Sequence, residues 1–394
     1  MHRLLSALKV LAALAVVTGA LVIPRAVGAD DEFPPYTKIV GIAVVAPLSG
    51  PQRQLGIDLS NGVQAAVDDA NSTRSLTDFG WVMRSFDDQA DPGIAEQEAQ
   101  FALVDPTNSI VIGHIGGQET YLALHVYHEA GIPLIIPTSS LGALTQQGYN
   151  NVFRLCPPDT LEGALGARYV ERSVKPKNVA AVWEQDDFGN ATATTFVGSL
   201  QSNKTKVTDY PIDVDLKSLK DTVAKVVAAQ PDYLYITGRA DLMAKVLIAL
   251  RKAGVTAPAL GTSPFYDSAL IAQKDFAPAA EGMLVGTCVP PVQFIPTAQV
   301  FQQRYQARYG RLSAYALFGY VAAQVAINAA VEGRSPDKTL LIRQLDEDVF
   351  RTVIGDISFR PNGDPIDPNI YFYKVTSGSF SYVGSALPNP AVLR

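Results

Sequence analysis

Short runs of β-branched and aliphatic residues alternate along this chain with longer segments whose apolar positions recur at helical spacing. The first run, Ile39-Val40-Gly41-Ile42-Ala43-Val44-Val45, is apolar on both faces and predicts a strand covered on both sides. It leads through Pro47-Leu48-Ser49-Gly50-Pro51 into a segment with apolar residues at Leu59, Val63, Ala66, Val67 and Ala70, the stripe of an amphipathic helix. The alternation continues with a strand over Trp81 to Phe86 and a helix carrying Ala95, Ala99, Ala102 and Leu103. A strand over Ser109 to Ile112, a helix carrying Leu122, Val126 and Ala130, and a strand over Leu134 to Ile136 follow. Four strands linked by helices imply a parallel, doubly wound α/β sheet.

The pattern then restarts. Strands are predicted near Val179 to Trp183, Tyr233 to Thr237 and Met283 to Gly286, with a helix carrying Leu219, Val223, Val226 and Val227 among them. A second α/β lobe is implied. Two extended segments flank it, Asn151 to Pro158 and Gly286 to Pro291, each closed by a proline pair, which suits strands that cross between lobes. Two helical stretches follow, around Val300 to Tyr309 and Leu317 to Val331, and then a strand over Tyr371 to Val375.

The N-terminus sets the compartment. His2, Arg3 and Lys9 precede an apolar stretch from Val10 to Ile23 that ends in Ala26-Val27-Gly28-Ala29, the organisation of a secretory signal peptide. Its apolar core is shorter than the roughly 18 residues that argue for a membrane span. Cleavage is expected after about Ala29, and with no cysteine near that point a lipid anchor through cysteine has no attachment site. A free periplasmic protein of a diderm bacterium is the expectation. The 365 residues left after residues 1–29 exceed one ordinary hydrophobic core and fit two lobes. Loss of the leader cations Arg3, Lys9 and Arg25 takes the formal charge from −6 to −9. An anionic chain without a basic run excludes a nucleic-acid partner, whose binding rests on neutralised phosphates.

Ile42 to Pro51, Gly56 and Gly62-Val63-Gln64-Ala65-Ala66-Val67 resemble the opening of type I periplasmic binding proteins, those of the leucine/isoleucine/valine-binding family of ABC importers. Further similar motifs follow in order: Asp87 to Pro92, Ile112-Gly113-His114, Gly131-Ile132-Pro133, Ile135 to Ser140, Val152-Phe153-Arg154, Asp187-Phe188-Gly189, Ala280-Glu281-Gly282 and Gly319-Tyr320. The resemblance implies two doubly wound parallel-sheet lobes joined by three crossover strands, with a ligand cleft between them that closes by a hinge. The expected division is residues 30–155 plus 289–363 for lobe I and 156–288 plus 364–394 for lobe II. It also implies capture of a small carboxylate-bearing solute (amino acid, aromatic acid or dicarboxylate), delivery to an inner-membrane permease with its ATPase subunits, monomeric action and no cofactor.

By position, the resemblance places the ligand carboxylate at two strand-to-helix turns of lobe I, Gly116-Gly117-Gln118 and Thr138-Ser139-Ser140. The physics agrees, since free N–H groups at a helix N-terminus attract anions and glycine admits close approach. Gly117 stands where the family often has serine. Phe188 stands at an aromatic wall that is often tyrosine, and Leu55 where an aromatic lid residue is common. Arg239 replaces a tyrosine and Ser263 replaces the acid that meets a ligand ammonium. A buried ammonium without a carboxylate is costly, so these two changes point to an anionic ligand bound by Arg239. Asp241, Asp267 or Glu119 are alternative sources of the missing acid, and Arg239 has Asp241 and Asp213 as alternative partners. If the crossover strands are neighbours, as the resemblance implies, Cys156 and Cys288 either bond there or remain two buried thiols.

No catalytic or metal site is expected. His125 and His128 are spaced i, i+3 rather than in the i, i+4 pairing of zinc proteases. His114 reads as a structural histidine, and Asp87-Asp88 leads into a turn and helix start at Asp91-Pro92-Gly93. There is no G-x-G-x-x-G, P-loop or nucleophile elbow to support a periplasmic α/β enzyme. A binding protein that signals to a receptor is the other alternative, since both roles use the same ligand-driven closure.

Overall fold

The computed structural model describes residues 38–73, 79–202 and 205–388. The expected signal peptide and its expected cleavage point lie outside the described residues. The first series runs β1 (Lys38–Ala46), α1 (Arg53–Ser72), β2 (Phe79–Asp87), α2 (Pro92–Ala102), β3 (Asn108–Gly113), α3 (Gly117–Glu129), β4 (Leu134–Ile136) and β5 (Val152–Arg154). These five strands form one sheet in the order β2-β1-β3-β4-β5, parallel throughout. Side-chain alternation along β1 explains why its run is apolar on both faces. Val40, Ile42 and Val44 enter one core and Ala43 and Val45 another.

The second series runs α4 (Asp159–Ser173), β6 (Asn178–Glu184), α5 (Asp187–Ser202), β7 (Lys206–Ile212), α6 (Leu219–Ala229), β8 (Tyr233–Thr237), α7 (Ala240–Lys252), β9 (Ala259–Gly261), α8 (Ser268–Ile271), α9 (Ala277–Ala280) and β10 (Leu284–Thr287). The chain then returns through α10 (Pro296–Tyr309), α11 (Ala314–Glu332), α12 (Lys338–Glu347) and the small hairpin β11 (Phe350–Thr352) and β12 (Gly355–Ile357). It ends in β13 (Tyr371–Thr376) and β14 (Ser379–Ser385). The second sheet has the order β14-β13-β10-β9-β8-β6-β7. Its first-formed part is parallel, but β13 pairs antiparallel with both β10 and β14, so this sheet is mixed rather than wholly parallel.

Some predicted helix faces shift. In α3, Leu122 and Ala130 are exposed, and Ala123, Leu124, Val126 and Tyr127 make the buried face. In α6, Val227 points outward while Val226 is buried. β7, β9 and β14 have no strong apolar signal. β7 is an edge strand carrying Lys206, Asp209 and Pro211, which a strand tolerates only where its outer side lacks a partner.

Helix α11 is long and apolar enough to cross a membrane by length and composition, yet it is mostly buried as a core helix against α1. The two helices cross with backbone contact. A Cβ on Gly62 would strike the Ala316 carbonyl, and one on Gly319 would strike the Leu59 carbonyl.

The chain passes between the sheets three times, after β5, after β10 and between β12 and β13. The first two passages are joined by a Cys156–Cys288 disulfide with Cα atoms 5.7 Å apart. The first and third meet where the Arg154 N–H donates to the Gly363 carbonyl at 2.9 Å. Because the disulfide encloses a sequence separation of 132 residues, its loss releases considerable chain entropy. Reduction should lower unfolding free energy by about 2–4 kcal/mol, measured by urea denaturation with and without dithiothreitol.

Candidate functional site

The carboxyl ends of strands in both sheets supply the candidate residues, as is usual for open α/β sheets. Gly116 and Gly117 follow β3, and Thr138 to Ser140 follow β4. Glu184 ends β6, Arg239 follows β8, and Ser263 follows β9. The two sets approach each other where Gln118 Nε2 donates to Asp187 Oδ2 at 2.7 Å, joining the first turn of α3 to that of α5. Beside this bond lies a cavity of about 390 Å³ lined from both sides, by Gln118, Leu141, Asp159, Asp187 and Asn190 among others. A second cavity of about 330 Å³ lies between α1 and α11, beside Trp81 and Tyr320, and contains none of the candidate residues.

On the first face, α3 begins at an extended Gly116 with no side-chain cap, so its first-turn N–H groups have no capping side chain. Glu119, one of the acids considered for a ligand ammonium, folds back there, because a Cβ on Gly116 would collide with its carboxylate. A side chain at Gly117 would press on Leu141 at 3.0 Å and lie 3.5 Å from the Ser139 hydroxyl. This explains why glycine fits where serine is common. Ser139 is buried, and the Thr138 hydroxyl is buried without a hydrogen-bond partner among the described residues. An orphaned buried hydroxyl is costly, which makes it a natural contact for an incoming polar group. Ser140 uses its carbonyl to accept from Arg154 Nη1 and from the Asp159 N–H.

On the second face, Arg239 pairs with neither Asp241 nor Asp213. Its Nε donates to the buried Glu184 carboxylate at 2.7 Å and its backbone N–H to the other oxygen at 2.6 Å. Gly238, at φ +133°, is required because a Cβ there would strike the Glu184 side chain. The cation is therefore neutralised rather than free, although its side chain remains 56% exposed. Beneath it, Thr192, Thr237 and Thr262 form a chain of hydroxyl bonds of 2.7 and 3.1 Å across α5, β8 and the end of β9. Phe188 is half-buried in the first turn of α5, next to Asp187, and Leu55 is partly buried in the first turn of α1.

Sequence reasoning missed Glu162. This buried residue of α4 accepts from the Ser263 N–H at 2.7 Å and from the Ser263 hydroxyl at 3.0 Å. A carboxylate thus lies against the position where the sequence offered only serine, supplied by another element instead of by Asp241, Asp267 or Glu119. Its signal was an acid on the buried stripe of α4 with Gly166, Tyr169 and Val170. Burial pushes the Glu162 carboxyl up to about 7, against the two bonds from Ser263 and with help from Asp159. Asp159, also buried, is raised for the same first reason.

The histidines and the Asp87-Asp88 pair singled out in the sequence sit in contacts within the first lobe's own elements. Buried His114 bonds Asp88 at 2.7 Å and the Tyr127 hydroxyl at 3.0 Å. Asp87 accepts N–H bonds from Leu48, Ser49 and Gln89. Burial works to raise its carboxyl, but the Ser49 hydroxyl together with these N–H groups holds it below the usual range. His128 stacks on Tyr149, and His125 sits 3.5 Å from Glu96. Among the described residues no cluster of three metal-ligating side chains occurs.

Two α/β units crossed three times by the chain, with a cavity and polar residues where the strand ends meet, define a two-lobed binding protein. The chain belongs to the periplasmic binding protein family, whose pattern matches residues 39–379. It is 27% identical over 330 residues to the Leu/Ile/Val-binding protein of Citrobacter freundii, covering 84% of this chain and 89% of that one. It is 26% identical to the leucine-specific-binding protein of Salmonella typhimurium, covering 88% and 91%. A leucine-binding protein from Thermotoga maritima shares the fold with a TM-score of 0.78, at 22% identity and 89% and 99% coverage. A Rhodopseudomonas palustris solute-binding protein in complex with benzoate shares it at 0.75, with 19% identity and 90% and 99% coverage. The family is one of solute capture rather than catalysis.

Glu162 yields a pH-dependent expectation. The folded protein holds its proton up to about pH 7, whereas the unfolded chain releases it near 4.5. Its contribution is therefore full below about 4.5 and declines as pH rises toward 7. Glu162→Gln, which can keep both Ser263 contacts, should remove roughly 1–3 kcal/mol of that decline, read from urea unfolding at pH 5 and pH 8.

Proposed function

We propose that this chain is the periplasmic substrate-binding subunit of an ABC importer, capturing a small carboxylate-bearing solute between its lobes and handing it to a membrane permease coupled to ATPase subunits. The observation that carries the reading is the Thr138 hydroxyl, buried and without a hydrogen-bond partner among the described residues, on the same face as the uncapped N-terminus of α3. Together they offer a hydroxyl and helix-terminal N–H groups to one carboxylate. Gly117, Gln118, Ser139 and Ser140 complete that end. Phe188, Leu55, Ser263 and Arg239 face the remainder of the ligand as residues 156–288 plus 364–394 close on residues 30–155 plus 289–363. The Gln118–Asp187 bond is one that such closure would make. Export behind a leader cleaved near Ala29 puts the protein where a solute awaits import.

At the second-lobe end, Glu162 beside Ser263 and the neutralised Arg239 favour a ligand terminus that donates hydrogen bonds over a second carboxylate. An amino acid meets this requirement, in keeping with relatives named for leucine, isoleucine and valine. The second reading is an aromatic acid, favoured by the structural neighbours in complex with benzoate and with 3,4-dihydroxybenzoic acid.

A thermal-shift screen over aliphatic amino acids, benzoates and dicarboxylates separates these readings, because a ligand raises the melting temperature only if it binds the folded state. Isosteric Thr138→Val should weaken the stabilising ligand about 10-fold or more, read by calorimetric titration, while leaving the unliganded protein as stable or more so. Unchanged affinity would remove Thr138 from the site.

A further inference from the structure

Arg154 is the last residue of β5, immediately before the chain leaves the first sheet. Its side chain is completely buried, yet every nitrogen of the guanidinium has an acceptor. Nη1 donates to the carbonyls of Ser140 and Leu141 at 3.2 and 3.0 Å. Nη2 donates to the Thr145 hydroxyl at 2.5 Å and reaches the Gly142 carbonyl at 3.5 Å. Nε donates to Asp364 Oδ1 at 2.6 Å. The Thr145 hydroxyl donates onward to the same Asp364 oxygen at 2.8 Å, and Asn362 holds the other one at 2.8 Å. The backbone joins in through the Arg154 N–H to the Gly363 carbonyl. Gly363, at φ +83°, lies so close that a Cβ would strike the Val152 carbonyl.

Two segments far apart in sequence thus meet on one cation. The first is the loop of residues 140–145, which continues directly from the Thr138–Ser140 turn. The second is the third passage between the sheets, at residues 360–364. A lysine could not replace this fork, because an ammonium presents a single point charge and three donors, not a planar array aimed at several carbonyls and a carboxylate together.

We propose that Arg154 is a positioning residue for ligand capture. It fixes the ligand-facing turn of the first lobe and, through Asp364, ties that turn to the third passage, so that hinge rotation and the shape of the turn are mechanically linked. This rests on the capture role assigned to the Thr138–Ser140 turn, but the linkage itself is testable without any ligand.

The test is amide hydrogen exchange by mass spectrometry on the full mature chain, comparing wild type with Asp364→Asn and Arg154→Lys. Asp364→Asn touches no residue of the Thr138–Ser140 turn and meets the loop beyond it at Thr145. Linkage predicts at least tenfold faster exchange in residues 138–142 as well as in 358–366, with the sheets unchanged. Faster exchange confined to 143–146 and 358–366, or a uniform rise across the chain, overturns the linkage and leaves Arg154 a general stabiliser. Arg154→Lys is expected to loosen residues 138–142 more than Asp364→Asn does, because the carbonyl contacts are lost while a cation remains near Asp364. L-leucine and benzoate then serve as binding probes. For whichever stabilises wild type, Asp364→Asn should raise the dissociation rate at least tenfold, and an unchanged rate overturns the positioning role. If neither stabilises wild type, the assigned ligand class fails, while the exchange pattern still decides the linkage.

Discussion

A guanidinium taken wholly out of water costs several kcal/mol unless its N–H groups all find acceptors. Arg154 meets that condition only because three parts of the chain converge on it: the end of β5, the loop after β4, and the passage between β12 and β13. The Ser140 and Leu141 carbonyls gain from it a donor beyond their backbone partners, and Asp364 gains a cation. Any arrangement of the passages that moved Asp364 away would strand a buried charge, so the connection between the sheets is set by the same interaction that shapes the candidate site.

Around that point the two faces have opposite character. The first offers donors, namely the start of α3 and the hydroxyls of Thr138 and Ser139. The second is rich in acceptors. Glu162 lies under Ser263, Glu184 is engaged by Arg239, and Asp186 and Asp187 begin α5. Burial raises the Asp186 carboxyl even though it caps the Gly189 N–H. A molecule negative at one end and hydrogen-bond-donating at the other fits this polarity without reorganising either wall.

Much of the first sheet was legible because β1, β3 and β4 are contiguous apolar runs, whereas β2 carries Arg84 and Ser85 and the fifth strand β5, three residues ending in Arg154, was read only as part of a passage between lobes. The second sheet was half legible. β6, β8 and β10 are apolar, but β7 and β14 sit near or at edges, where alternation with polar residues hides them, and β9 has three residues. α3 misled because Leu122 is apolar and exposed beside the truly buried Ala123 and Leu124. At the site, position after a strand was readable for Thr138, Arg239 and Ser263, since strand ends are local features. Partners were not. Glu184 lies 55 residues from Arg239, and Glu162 lies 101 from Ser263. An isolated acid in a helix looks solvated until the fold shows what covers it.

The C-terminal hairpin has a consequence for the chain as it emerges. Strands β6 to β10 all lie between the two cysteines, so most of the second sheet precedes β13 and β14 in the chain. Until β13 arrives, β10 is an outer strand whose N–H and C=O groups are free on one side, a template on which another copy could add a strand. β13 fills that row antiparallel, and β14 then presents to the outside a strand of alternating serines and aromatics, exposed at every second residue. The hairpin thus moves this end of the sheet from the largely buried β10 to β14, where exposed and half-buried side chains alternate along most of the strand.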